Sequence, residues 1–139
     1  MLNLGGGLPS RYIEEHPTVD LDKTFAAIKA VLDRFLLKYD IRKPVIAFEL
    51  GRYICANAGM TLYTVGSFKS ITGYKNYISI DGGMADNPRY ALYQSPYTVL
   101  VADRAGEDKT VIATIAGRCC ESGDIIQEDV KIQPCKKGD

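Results

Sequence analysis

Four stretches of this 139-residue sequence combine residue types that could bind an anion, hold a carboxylate or move a proton. Gly5-Gly6-Gly7 follows a brief apolar run. Without Cβ atoms, its backbone N–H groups can approach a phosphate closely; a flexible turn is the plainer alternative. Glu49-Leu50-Gly51-Arg52 sets a carboxylate and a guanidinium around a glycine. Such an arginine can grip a phosphate or carboxylate at two points, and a surface ion pair is the plainer alternative. Asp81-Gly82-Gly83-Met84 leads into Asn87-Pro88-Arg89-Tyr90-Ala91-Leu92-Tyr93. There Arg89 and Tyr93 stand four apart and share a face if the segment is helical; a turn followed by an amphipathic surface segment would look the same. Gly117-Arg118-Cys119-Cys120-Glu121-Ser122-Gly123-Asp124 puts a thiol beside a carboxylate. The carboxylate would raise the thiol's pKa and keep it a proton donor, against the alternative of a buried cysteine before a Ser-Gly-Asp turn.

The elements that position these stretches are legible from periodicity. From Asp20 to Tyr39, Leu21, Phe25, Ile28, Leu32, Phe35 and Tyr39 recur at steps of four and three, which predicts a helix. Asp20 suits its N-cap, and Pro44 forbids continuation. Val45–Phe48 reads as a strand buried on both faces, and Leu2–Leu4 as the end of another. Together they form one βαβ step, with Gly5–Gly7 and Glu49–Arg52 both at carboxyl ends of strands, where ligand sites of α/β folds lie. Beyond Gly59, the segments 60–68, 74–81, 97–102, 110–116 and 124–132 are short and rich in Val, Ile, Thr and Tyr, which predicts an antiparallel β domain. Asp103–Lys109 reads as an exposed hairpin loop.

Composition bounds the function. Hydrophobic residues at 46% and charged residues at 24% support a packed core in one domain or two small ones. The 17 basic and 17 acidic side chains cancel, which argues against nucleic acid or an anionic membrane as partner. No apolar run reaches the length of a membrane span. Cys55, Cys119, Cys120 and Cys135 include no Cys-x-x-Cys pair, and His16 is the single histidine, so no metal site is expected. Four free thiols and a start without signal-peptide character suggest the cytoplasm.

Taken in order, the stretches LNLGGG, ELGRYICANAG, VGSFK, DGGMADNPRYALY and CCESGD run through nearly all of the chain. Each is weak alone; the set resembles the C-terminal part of the pyridoxal-phosphate-dependent diaminopimelate decarboxylases, in the ornithine decarboxylase and alanine racemase-like superfamily. The resemblance implies that residues 1–59 are the last strands and a helix of a (β/α)8 barrel. Residues 60–139 would be an all-β Greek-key barrel or sandwich domain lacking its last strand. It implies that Gly5, Gly6 and Gly7 bind the phosphate of pyridoxal 5'-phosphate, with the backbone of Gly51 and Arg52 adding contacts and Glu49 facing the pyridine nitrogen. Arg52, Arg89 and Tyr93 would hold a substrate carboxylate, and Glu121 the distal ammonium group. Cys120 would be catalytic, returning a proton to the carbon that loses carbon dioxide, in the other subunit's site of a homodimer. The substrate so implied is the small amino acid meso-2,6-diaminopimelate, converted to L-lysine. Related alternatives are another substrate of the superfamily, such as carboxynorspermidine or arginine, or a non-catalytic truncated scaffold.

The sequence departs from the family pattern at Leu50, where proline is usual. It also lacks counterparts of the lysine that anchors the cofactor, of the histidine that stacks on it, and of the family's final strand and tyrosine. The chain is therefore expected to be a fragment, inactive and cofactor-free by itself, that self-associates over its exposed barrel strands.

Overall fold

A computed structural model describes residues 1–139. The chain divides into two compact units, Met1–Met60 and Thr61–Asp139.

In the first unit, β1 (Leu2–Asn3), α1 (Leu21–Tyr39), β2 (Ile46–Ala47) and α2 (Gly51–Cys55) follow in order. β1 and β2 pair in parallel, with Leu2 opposite Ile46 and Asn3 opposite Ala47. Leu2 N donates to Val45 O at 2.8 Å and Leu4 N to Ala47 O at 2.9 Å. The Asp20 carboxylate caps α1 by accepting from Lys23 N, and Asp40 closes it with φ 49 in the left-handed region. Phe25 packs edge-on against Phe48, with ring centroids 5.2 Å apart. The stripe of α1 that faces β2 differs from the predicted one at its C-terminal end. Phe25, Ile28, Leu32 and Leu36 line a groove of about 280 Å³ with Ile46 and Phe48. Phe35 and Tyr39 instead pack on each other, with centroids at 4.6 Å, and both are half exposed. A step of four from Leu32 keeps Leu36 on the sheet-facing side; Phe35, one residue earlier, turns away. Val45 is 73% exposed rather than buried on both faces, because the sheet it borders has only two strands.

The second unit contains β3 (Val65–Ile71), β4 (Lys75–Ile80), α3 (Arg89–Tyr93), β5 (Val111–Ala116) and β6 (Ile125–Ile132). They form one sheet in the order β3-β4-β5-β6. Gly73, at φ +74, turns the β3–β4 hairpin. The sheet is mixed, which corrects the antiparallel expectation: β4 and β5 run parallel, with Tyr77 opposite Thr114 and Ser79 opposite Ala116. Parallel neighbours need a long crossover, and residues 81–110 supply it, carrying α3 on the way.

The segment 97–102, expected to be a strand, lies within that crossover and joins no ladder. Glutamine side chains of β6 and the residue after it take the place of a partner strand. Tyr97 N donates to Gln127 Oε1 at 2.9 Å and Val101 N to Gln133 Oε1 at 3.0 Å. Gln133 is fully buried, and its amide nitrogen reaches Ala105 O at 3.4 Å and Glu107 O at 3.3 Å. Asp103–Lys109 is accordingly a turn held by Gln133 rather than a hairpin loop. Val101 still enters the core, with Ile78, Ile80, Ala113, Ile115, Ile126 and Ile132. Gln133→Ala strands three backbone groups and leaves a cavity. It is expected to destabilise this unit by about 2 kcal/mol, read as a lower urea midpoint; an unchanged midpoint would refute the tether.

Candidate active site

The parallel pairing of β1 and β2 brings Gly5–Gly7 and Glu49–Arg52 to one edge of the first unit. Glu49 N donates to Gly5 O at 2.7 Å. Asn3 locks the pair: its Oδ1 accepts from Gly5 N at 2.8 Å, and its Nδ2 donates to Glu49 Oε1 at 2.7 Å. Gly5 and Gly7 take φ values of +71 and +104, which side-chain-bearing residues rarely adopt. A Cβ on Gly6 would overlap the Glu49 carbonyl oxygen. The amides of Gly6 and Gly7 have no acceptor within the chain. Those of Gly51 and Arg52, in the first turn of α2, have no intrahelical acceptor. The result is a close-packed loop edge with spare N–H donors.

Glu49 and Arg52 do not pair with each other, so the surface ion pair is not what holds them. Glu49 goes to Asn3, while Arg52 Nη1 donates to Tyr12 Oη at 3.2 Å. Tyr12 is itself placed by its N–H to His16 Nδ1, at 3.3 Å. Asn3 and Tyr12 were not singled out by sequence reasoning. Asn3 carried a signal, because asparagine two residues before a glycine favours a side-chain-to-backbone turn; Tyr12 carried none, being forty positions from its partner.

In the second unit, Arg89–Tyr93 is helical, and the Arg89 guanidinium carbon lies 5.3 Å from the Tyr93 ring centre. The two residues therefore share a face of α3. Tyr90 Oη fastens the helix to β6 through Glu128 Oε2 at 3.3 Å. Cys119 and Cys120 lie in a bend beyond the end of β5, and both are exposed. Glu121 is exposed too, and its Oε1 accepts from Ser122 Oγ at 3.2 Å and Gly123 N at 3.3 Å.

Asp124, which sequence reasoning did not single out, organises this bend. It is 2% exposed. Its Oδ1 accepts from Met84 N and its Oδ2 from Cys119 N, each at 2.6 Å. A Cβ on Gly83 or on Gly117 would overlap its carboxylate, so both glycines serve close approach. Desolvation and the Asp124 carboxylate push the Cys119 thiol above its ordinary pKa. The carboxylate acting on a thiol here is thus Asp124 on Cys119. The neighbouring Asp81-Gly82-Gly83 loop is held from below: Tyr63 Oη donates to Asp86 Oδ2 at 2.6 Å. Burial and that carboxylate push Tyr63 up to about 12, so its hydroxyl stays a donor. The Thr64 N–H and hydroxyl hold the Asp81 carboxyl below the usual range.

Comparison with known proteins extends these local observations. Residues 35–139 match the family described as pyridoxal-dependent decarboxylase, C-terminal sheet domain. A diaminopimelate decarboxylase of Bacillus subtilis (strain 168) is 46% identical over 145 aligned residues, covering all of this chain and 32% of the relative. One of Staphylococcus aureus (strain COL) is 41% identical, covering all of this chain and 33% of the relative. The crystal structure of the M. jannaschii diaminopimelate decarboxylase with L-lysine superposes with a TM-score of 0.79 at 29% identity, over 98% of this chain and 30% of that one. The chain spans about a third of the length of these relatives. A family match over residues 35–139 takes in β2, α2 and the whole second unit, including α3 and the Asp124 bend. The chain belongs to the pyridoxal-dependent decarboxylase family and carries its C-terminal sheet domain.

Proposed function

We propose that this chain is the C-terminal part of a pyridoxal 5'-phosphate-dependent lyase that converts meso-2,6-diaminopimelate to L-lysine and carbon dioxide. The observation that carries this reading is the similarity to diaminopimelate decarboxylases along the full length of the chain. In the same reading, residues 1–59 belong to a (β/α)8 barrel, and residues 60–139 to a Greek-key β barrel or sandwich. The enzyme is a cytoplasmic homodimer whose sites are shared across the interface. No helix is long and apolar enough to cross a membrane.

The first unit fits a phosphate-bearing cofactor. The spare amides of Gly6, Gly7, Gly51 and Arg52, and the open space where side chains would stand at Gly5 and Gly7, leave room for an anion against the backbone. Asn3 aims the Glu49 carboxylate, which would face the pyridine nitrogen and keep it protonated. Bound pyridoxal phosphate supplies an electron-withdrawing ring that accepts the electron pair released when the carbon–carboxylate bond breaks.

The remaining roles belong to side chains of this chain. Diaminopimelate has two amino-acid ends, and one must keep its carboxylate. In this reading Arg89 and Tyr93 grip that carboxylate by charge-assisted bonds and Glu121 holds the ammonium beside it, while Arg52 is the carboxylate-binding residue of the first unit. Fixing one end selects the other for reaction. Stacking on Tyr93 limits the freedom of the Arg89 fork. Cys120 donates its thiol proton to the carbon that has lost carbon dioxide.

The test is an assay of the native protein in which these residues occur, with meso-2,6-diaminopimelate and pyridoxal phosphate, following L-lysine by chromatography. Turnover of arginine or carboxynorspermidine with none of diaminopimelate would move the protein to another branch of the superfamily. A folded native protein without any such turnover would support the scaffold reading. Tyr12→Phe removes the oxygen that steadies Arg52. It is expected to raise KM for diaminopimelate about fivefold with kcat little changed, in line with the loss of one exposed hydrogen bond; a wild-type KM would free Arg52 from this partner.

A further inference from the structure

We propose that Asp124 is a positioning residue, whose buried carboxylate clamps the Cys119–Glu121 bend to the Gly82–Met84 loop and so sets where the Cys120 thiol and the Glu121 carboxylate stand. Its role in turnover rests on the decarboxylase reading; its role as a clamp does not.

The geometry is that of a two-sided bridge. Each carboxylate oxygen takes one backbone N–H from a different loop, Met84 N on one side and Cys119 N on the other, both at 2.6 Å. Backbone bonds run alongside: Arg118 N to Gly82 O at 3.0 Å, Gly117 N to Asp124 O at 2.8 Å and Asp124 N to Glu121 O at 3.0 Å. Neither loop belongs to a strand or helix, so these bonds replace a ladder. Cys120 follows directly on the clamped Cys119 amide, and Glu121 supplies the carbonyl that accepts from Asp124. The Cys120 thiol is exposed, and the hydrogen bonds of the Glu121 carboxylate reach only Ser122 and Gly123 of the same bend, so neither ties the bend to the rest of the unit. Their positions depend on the backbone that Asp124 holds. Both carboxylate oxygens are used as acceptors, and Gly83 and Gly117 pack so closely on the carboxylate that a Cβ on either would overlap it. Asparagine has the same shape but a single acceptor oxygen, and its NH2 would face one of the two N–H donors.

Asp124→Asn in the native protein tests the clamp in two ways. Amide hydrogen exchange at Met84 and Cys119 is expected to quicken at least tenfold, with Ile78 and Ala113 in the sheet unchanged, and alkylation of Cys120 by iodoacetamide to change rate at least threefold. Wild-type exchange at both amides overturns the proposal, whatever the protein's substrate proves to be. On diaminopimelate, kcat is expected to fall at least tenfold and KM to rise. Lysine formed in deuterium oxide is expected to lose stereochemical purity at the newly protonated carbon. A purely stabilising role would leave that purity intact, so wild-type kcat and purity in the folded variant would overturn the positioning role. Absence of diaminopimelate turnover in the unmodified protein would defeat the decarboxylase reading alone, because the exchange result still decides the clamp. Should Asp124→Asn fail to fold, Gly117→Ala displaces the same carboxylate without removing its charge. It is expected to give the same exchange pattern, and wild-type exchange there overturns the proposal equally.

Discussion

Cys120→Ala is expected to lower turnover of meso-2,6-diaminopimelate by about a thousandfold while the bound cofactor stays at the wild-type level. A positioned general acid typically contributes between about a hundredfold and ten-thousandfold, and a thiol that delivers the only proton to a reacting carbon belongs in that range. The variant should fold, because the bend is held by backbone bonds and by Asp124, while Cys120 itself is exposed. Removing its sulfur strands no buried donor and opens no core cavity. Cofactor content, read from visible absorbance, separates loss of chemistry from loss of binding: the expected result is full absorbance with little turnover. Turnover within threefold of wild type would remove Cys120 from the mechanism and leave the proton to another group.

Gly6→Ala is expected to weaken pyridoxal phosphate binding roughly a hundredfold, which corresponds to about 2.7 kcal/mol. The φ of Gly6 lies outside the left-handed region, so the penalty is one of contact. The added methyl would overlap the Glu49 carbonyl oxygen and lie 3.3 Å from the Glu49 carbonyl carbon. These are backbone atoms, anchored by the bond from Glu49 N to Gly5 O and by the pairing of β1 with β2. Relief comes only by parting the two loops, at a cost typical of an overpacked site, about 1–3 kcal/mol. The movement disturbs the spare amides and the aim of Glu49 together. Gly59→Ala is the control: nothing lies within 4 Å of its would-be Cβ and its φ is −109, so cofactor affinity should match wild type. Titration of the apoprotein with pyridoxal phosphate reads both variants. Affinity within threefold of wild type in Gly6→Ala would show that the cofactor does not use this loop.

Much was written locally. The helix from Asp20 to Tyr39 is legible because its cap, its periodicity and its stop are all carried by residues close in sequence. Parallel β1 and β2 follow from it, since strands joined through a helix pair that way. The four chemistry-bearing stretches and the family they resemble are likewise a matter of residue types in order; the family match over residues 35–139 spans the last three of them and begins after Gly5–Gly7.

Long-range partners were decided elsewhere. Residues 97–102 carry the composition of a strand, yet the amides of Tyr97 and Val101 are taken by Gln127 and Gln133, some thirty positions away, and no local pattern announces a side chain acting as a ladder. The parallel β4–β5 pairing depends on where the crossover lands, which composition does not encode. Asn3 on Glu49, Tyr12 on Arg52 and Asp124 between two loops are pairings across the fold. The sequence by itself determined which residues could bind an anion or move a proton, because that capacity lies in each side chain's chemistry. Tertiary structure alone decided which neighbours hold them in place, because a hydrogen bond between distant residues exists only once folding has brought donor and acceptor within reach.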